Sequence, residues 1–127
     1  MRNLAHSEFY VNFYEIHETK HSVYMILDYI KGGELTNITK MKKKHTEEEC
    51  RSFVKNLLTG LSQIHSKGIM HRDLKPQNII MRSKKDIKDI VIIDFGLASF
   101  VDVDQYLYER CGTPGFVAPE IFAYKSN

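Results

Sequence analysis

One segment limits the possible architecture more than any other: Thr46 to Gly68 reads as a long amphipathic helix. Thr46-Glu47-Glu48-Glu49 is a capping box, in which the Thr46 hydroxyl accepts from the Glu49 amide and the Glu49 side chain reaches back to the Thr46 amide. Three acidic residues in the first turn suit the positive end of the helix dipole. Phe53, Val54, Leu57, Leu58, Leu61 and Ile64 follow at helical spacing and make one face apolar. Gly68 is placed to end the helix, since glycine takes the left-handed conformation cheaply. A helix with such a stripe must bury it, so the flanking sequence has to supply a surface to pack against.

That surface is read from strand-like runs on either side. Phe9 to His17 is rich in aromatic and branched residues and predicts a strand, and Val23 to Ile30 predicts a second, with His17 to Ser22 as the turn of an antiparallel hairpin. Gly32-Gly33 breaks the pattern, and Glu34 to about Met41 suits a short helix. After the long helix, Ile69 to Asn78 is charged and contains Pro76, which does not sit inside a helix. Ile79-Ile80-Met81 and Ile90-Val91-Ile92-Ile93 are short apolar runs that suit a buried hairpin, whose ends would deliver Asn78 and Asp94 side by side. From Asp94 to Glu120 there is little periodicity, and a stretch of that length inside a compact domain is usually functional. Mixed helix and strand content predicts an α+β chain.

The chemistry is concentrated in the second half. His71-Arg72-Asp73-Leu74-Lys75-Pro76-Gln77-Asn78 packs an acid, two fixed cations and an amide into one short segment. Asp94-Phe95-Gly96 follows an apolar strand, so a carboxylate leaves the core where a glycine lets the backbone turn. Oxygen-only donors suit Mg²⁺, which keeps waters and is shared with phosphates. Phosphoryl transfer needs this inventory, because its demands are orientation of the nucleophile and neutralisation of phosphate charge. Singly, an Asp-Phe-Gly or a His-Arg-Asp is usually a turn or a surface ion cluster. The information is in their order, followed by Gly112-Thr113-Pro114-Gly115-Phe116-Val117-Ala118-Pro119-Glu120.

This ordered set resembles the eukaryotic protein kinase family over nearly the whole chain. The Lys two residues after Asp73, with Gly-Thr-Pro before Ala-Pro-Glu, is similar to the Ser/Thr branch, and the run from Cys111 is most similar to the calcium/calmodulin-dependent group. The resemblance implies a bilobal fold, with about residues 1–30 giving small-lobe strands and hinge and about 31–127 giving the large-lobe part through the activation segment. It implies ATP and Mg²⁺ as cofactors and proteins bearing Ser or Thr as substrates. Asp73 would accept the substrate hydroxyl proton, Lys75 would reach the transferred phosphate, and Thr113 would bridge Asp73 and Lys75. Asn78 and Asp94 would hold the metal ions. Leu27 falls at the gatekeeper position, the backbone of Asp28 and Ile30 would bond the adenine edge, Glu34 would meet the ribose, and Ile80 would form the adenine floor. Core packing is the plain alternative for Leu27 and Ile80. Arg72, Phe95, Gly96, Glu109 and Glu120 would shape the activation segment.

Two positions depart from the family pattern. There is no Ser or Thr between Phe100 and Gly112, and Glu109 stands where many relatives carry a phosphothreonine. A carboxylate there could pair with Arg72 permanently, so that no loop phosphorylation is needed, with Tyr106 and Tyr108 as remaining hydroxyl sites. Gln77 stands where relatives that favour Arg near the phosphoacceptor often have Glu, which weakens that selectivity.

The family's Gly-rich loop, strand lysine and helix glutamate would precede residue 1, and its buttressing helices would follow Glu120. The expectation is a kinase domain truncated at both ends, unstable and nearly inactive by itself, with room for a regulatory domain outside this chain. A non-catalytic half-domain that binds a protein partner is the competing reading, and a small-molecule phosphotransferase a third. Bulk properties exclude little else. Net charge is +2, and Lys40 to Lys44 is a short basic cluster, so no nucleic-acid partner is expected. No apolar run is long enough for membrane insertion. Cys50 and Cys111 read as reduced thiols, which fits a soluble, cytoplasmic setting.

Overall fold

The computed structural model describes residues 4, 6–41, 44–84, 86–103 and 108–123. Strand β1 (Phe13–Glu18) pairs antiparallel with β2 (Val23–Leu27), and a short helix α1 (Leu35–Met41) follows. The long helix α2 (Glu47–His65) leads into the two-residue strand β3 (Ile69–Met70) and a single 3-10 turn over Pro76–Asn78. Strands β4 (Ile79–Met81) and β5 (Ile90–Ile92) form an antiparallel hairpin, β6 (Ser99–Phe100) pairs with β3, and α3 (Pro119–Ala123) closes the described chain.

Helix α2 starts where its local chemistry dictates. Thr46 is extended, its hydroxyl accepts from the Glu49 amide at 3.2 Å, and Glu49 accepts from the Thr46 amide at 2.9 Å. Each such cap satisfies an amide the helix itself leaves open. The other end differs from expectation. The helix stops at His65 with Ser66 as its cap, and Gly68 takes its left-handed φ of 65° in the turn beyond, where its carbonyl accepts from the Val101 amide.

Two apolar clusters make the core, and α2 serves both. Phe53 and Leu57 pack against Leu35, Ile79, Met81, Ile87 and Ile90, while Leu57 and Leu61 pack against Tyr10, Ile64, Ile69 and Ile92. The apolar face of α2 is wider than the part it buries: Val54 is 46% exposed and Leu58 59%. The β4–β5 hairpin lies at the centre, with Met81, Ile90, Val91 and Ile92 almost wholly inaccessible.

The first predicted strand is divided. Strand β1 begins at Phe13, and the preceding residues serve β5 instead: Val11 donates to the Ile92 carbonyl and Ile92 to the Phe9 carbonyl, with Tyr10 in a parallel bridge to Ile92. That segment covers the edge of β5 that β4 leaves open, satisfying backbone groups that would otherwise lie unpaired in the core. The second predicted strand also ends early, at Leu27 rather than Ile30. The β1–β2 hairpin itself is exposed along almost its whole length.

The link from β2 to α1 is held by a close approach. A Cβ on Gly32 would run into the Met81 carbonyl, and the Met81 amide donates to the Gly33 carbonyl at 2.9 Å. Only glycine lets the two backbones meet there. Glu34 then bridges to Ile80. Both cysteines are free, and among the described residues no helix is long and apolar enough to cross a membrane.

Candidate active site

The segment between β3 and β4 carries what a hydrophobic core ordinarily rejects. Among the described residues the buried polar or charged side chains are His71, Asp73 and Asn78, at 3%, 8% and 5% exposure. Burying such groups is costly unless each finds partners, and each does. The Nε2 of His71 lies 2.9 Å from the Ile93 carbonyl, and the Asp73 amide donates to His71 Nδ1 at 3.3 Å. A carbonyl only accepts and an amide only donates, so the proton of this imidazole sits on Nε2. The ring also packs against Phe95, with centroids 5.0 Å apart.

Asp73 is the hub. Its Oδ2 accepts from Lys75 Nζ at 2.8 Å and from Asn78 Nδ2 at 3.2 Å, and its Oδ1 accepts from the Thr113 hydroxyl at 2.7 Å. Lys75 donates in turn to Thr113 Oγ1 at 2.6 Å, so acid, amine and hydroxyl close a triangle. Thr113 is 40 residues from Asp73 in sequence, and this contact is what ties the later loop to the earlier one. Burial alone would push the Asp73 carboxyl up. The bonds from Lys75 and Thr113 and the charge of Lys75 outweigh it and hold the group below the ordinary carboxylate value.

The β4–β5 hairpin aligns the second pair of donors. Ile79 pairs with Ile92, and one step beyond, the Ile93 amide donates to the Asn78 carbonyl at 2.9 Å. Asp94 follows immediately, in the left-handed region with φ of 60°, and its Oδ1 accepts from the Gly96 amide at 3.1 Å. Arg72, next to Asp73, is the other non-glycine residue with positive φ among those described, at 63°. Such backbone conformations are uncommon outside glycine and gather at functional sites.

These donors fit a magnesium ion in their chemistry. The Asn78 amide nitrogen is spent on the Asp73 carbonyl at 2.8 Å and on its carboxylate, which leaves the side-chain oxygen as acceptor. Asp94 adds an exposed carboxylate. An amide oxygen and a carboxylate are hard ligands of the kind Mg²⁺ takes when phosphates and waters complete its shell.

The residues assigned to the nucleotide's base lie along one path. Leu27 ends β2, Asp28 to Ile30 follow it, and the Glu34–Ile80 bridge sets the ribose and floor candidates beside each other. Glu34 is exposed and accepts from Thr36 at 3.0 Å. Ile80 is half-buried, in contrast to its neighbours Ile79 and Met81.

One expectation is not met. Arg72 and Glu109 line the same cleft of about 560 Å³, yet no ion pair joins them among the described residues. Arg72 donates through Nε to the Leu97 carbonyl and through a terminal nitrogen to the Tyr108 carbonyl, both at 2.7 Å. The guanidinium thus holds the loop by its backbone, one residue before the exposed Glu109. Phe95 packs edge-on to Tyr10 at 6.3 Å, and Gly96 caps Asp94. Glu120 lies exposed in the first turn of α3. Tyr106 and Lys42–Lys43 of the basic cluster lie outside the described residues. His71 is the site residue to which the sequence assigns no role. The signal available was a histidine in an otherwise fully ionic segment, and its value emerges only when Ile93 and Phe95 are brought to it.

Comparison with known proteins identifies a family. The sequence matches the protein kinase domain family over residues 1–127. It is 38% identical over 121 residues to a probable serine/threonine-protein kinase 2 of Plasmodium falciparum (isolate K1 / Thailand), covering 95% of this chain and 23% of that protein. It is 39% identical over 127 residues to CBL-interacting protein kinase 10 of Oryza sativa subsp. japonica, covering 97% and 27%. A calcium/calmodulin-dependent protein kinase, cmkB, of Emericella nidulans is 40% identical over 107 residues, covering 83% and 26%. The chain thus spans about a quarter of the length of these relatives.

Proposed function

This chain belongs to the protein kinase domain family, and on that premise we propose that it carries the transfer centre of a Ser/Thr protein kinase, moving the terminal phosphate of ATP to Ser or Thr hydroxyls of protein substrates. The observation that supports it best is the Asp73–Lys75–Thr113 triangle, built around a buried carboxylate and backed by Asn78. A purely structural loop would have no reason to bury an acid, an amide and an imidazole together and then satisfy each one.

The roles follow from the bonds. A carboxylate offers about four acceptor positions. Lys75, Asn78 and the Thr113 hydroxyl bond to three on Asp73 and the Thr113 backbone also favours its anion, so an incoming hydroxyl would share an oxygen with these donors, and the depressed pKa keeps the group ionised at neutral pH to receive it. Lys75 holds the carboxylate in place and presents its ammonium to the transferred phosphate. Thr113 locks the substrate-side loop to both, so a peptide docked on that loop brings its hydroxyl to Asp73. Asn78 and Asp94 would hold Mg²⁺, which when bound neutralises the charge on the phosphate oxygens. Leu27, Ile80 and the backbone of Asp28 and Ile30 would receive the adenine, with Glu34 at the ribose. Arg72 orders the activation segment through the Tyr108 carbonyl, with Phe95 and Gly96 setting the turn after Asp94 and Glu120 opening α3.

The test uses the longest form its gene encodes, with transfer of labelled phosphate from ATP to Ser- and Thr-containing peptides. Replacing Asp73 by Asn should lower the rate by about 10²- to 10⁴-fold, the usual worth of a positioned acid–base group. Undiminished transfer by the double variant Asp73→Ala, Asp94→Ala sinks the reading.

A further inference from the structure

Outside the transfer centre, a hydrogen-bond network among the described residues surrounds the side chain of Asp28. Its Oδ2 accepts from the Asn12 amide at 3.1 Å and from Asn12 Nδ2 at 2.7 Å, while its Oδ1 accepts from the Tyr14 hydroxyl at 2.6 Å. The Asp28 amide returns a bond to the Asn12 carbonyl at 3.1 Å. The β1–β2 register slips between Phe13 and Glu15, so Tyr14 is the bulged residue. A bulge turns one side chain away from the regular ladder and is common beside active sites. Here the redirected side chain is the one whose hydroxyl reaches Asp28. Tyr14 is 53% exposed, so its position owes little to core packing.

The network does not stop at the hairpin. Asn12 Oδ1 accepts from the Ser7 amide at 3.0 Å, Asn12 Nδ2 also donates to the Ser7 carbonyl at 3.1 Å, and the Ser7 hydroxyl donates to Gln63 Oε1 at 2.7 Å. Gln63 belongs to α2, whose buried face is packed on the β4–β5 hairpin that aligns Asn78 and Asp94. A chain of polar contacts therefore runs from the residue after β2 to the helix that underlies the transfer centre. Packing within β1 and β2 does not hold their Asp28 end, because both strands are exposed almost throughout, so the polar contacts add to the anchor that buried Tyr10 and Val11 give the segment before Asn12.

We propose that Asn12, Tyr14 and Asp28 form a clasp that positions the Asp28–Ile30 backbone for adenine, by tying it to α2 through Ser7 and Gln63. The inference rests on reading Leu27 to Ile30 as the adenine edge and deepens it by giving three side chains a positioning role. Burial by itself would push the Asp28 carboxyl up, yet the bonds from Tyr14 and Asn12 outweigh it and leave the group below its ordinary value, as a clasp closed on the anion requires. A segment held in its binding conformation costs less to order when the nucleotide arrives.

The experiment compares the longest encoded form with its Tyr14→Phe and Ser7→Ala variants. Three readings are taken: the dissociation constant for ADP, that for tripolyphosphate, and amide exchange at residues 28–30. Tyr14→Phe removes one hydroxyl and leaves the ring in place, so the melting temperature should barely change. ADP should bind about 3- to 10-fold more weakly, since apparent affinity scales with the fraction of molecules in the competent conformation. Tripolyphosphate, which lacks the base, should bind as before, and exchange at residues 28–30 should quicken. Ser7→Ala, which cuts the link to α2, should move the same readings in the same direction. Equal losses for ADP and tripolyphosphate, or no loss for either, overturn the clasp. If the parent binds no ADP, the kinase reading fails, and the clasp is judged on exchange alone: faster exchange in Tyr14→Phe sustains it and unchanged exchange overturns it.

Discussion

The two longer hairpins are built from the same kinds of residue and meet opposite fates. In β4–β5 every side chain but one is buried, and the pair holds Asn78 and Asp94 at its open end. In β1–β2, Val23, Met25 and Ile26 are as apolar as these, yet all are exposed. The first hairpin is positioned by packing and the second by hydrogen bonds to Asn12 and Asp28. The groups assigned to phosphate chemistry therefore stand on the packed part of the molecule, and those assigned to the base on the part held by polar contacts.

Deleting packing at the first hairpin should have the largest effect. Ile92 is wholly buried, pairs with Ile79, and exchanges backbone bonds with Phe9 and Val11. Ile92→Ala should cost about 2–5 kcal/mol, the range for isoleucine truncated in a close-packed core. The urea midpoint measures it. A loss under about 1 kcal/mol would mean that the site collapses easily, and the contrast with β1–β2 would lose its basis.

Much of this was legible in the sequence, and the reasons are physical. The capping box at Thr46 and the β4–β5 hairpin depend on residues close in the chain, and both stand where the sequence puts them. The α2 stripe was legible in its spacing but not in its extent, because spacing does not tell Leu57, which packs, from Leu58, which is exposed. Phe9 to Val11 has strand composition, but its partner is β5, some eighty residues on, and no local rule selects that edge. The Arg72–Glu109 pair fails for a related reason: charge predicts attraction, whereas the Leu97 and Tyr108 carbonyls reach the guanidinium through a fold that sequence spacing does not contain. The positive φ of Arg72 and Asp94 was likewise unreadable, since neither is glycine.

A pH-confined effect should separate the transfer centre from the rest of the core. The folded-state pKa of Asp73 is depressed, so its contribution to stability is complete above the unfolded value of about 3.9 and is lost as pH falls through the folded value. Asp73→Asn has no such proton to bind. The stability gap between parent and variant should therefore be constant near neutrality and narrow once the pH drops below about 4. Urea midpoints for both at pH 7 and pH 3 give the comparison, in which other carboxylates act alike and cancel. A gap that does not change with pH would show that Lys75 and Thr113 leave this carboxyl unperturbed.

The smallest effect is expected in the second hairpin, and it bears most directly on the contrast. Ile26 lies across from Glu15 on β1 and is 47% exposed. Ile26→Ala removes apolar surface that this fold leaves mostly in water, so it should shift the urea midpoint by no more than about 0.5 kcal/mol, as exposed substitutions usually do. A loss comparable to that of Ile92→Ala could not come from contacts within the described chain. It would require that β2 be covered in solution, and its dependence on protein concentration would distinguish a second copy of the chain from a cover carried by the same molecule. In that event the two hairpins would differ in what buries them rather than in whether they are buried, and the base-binding side would be positioned by packing as the phosphate side is.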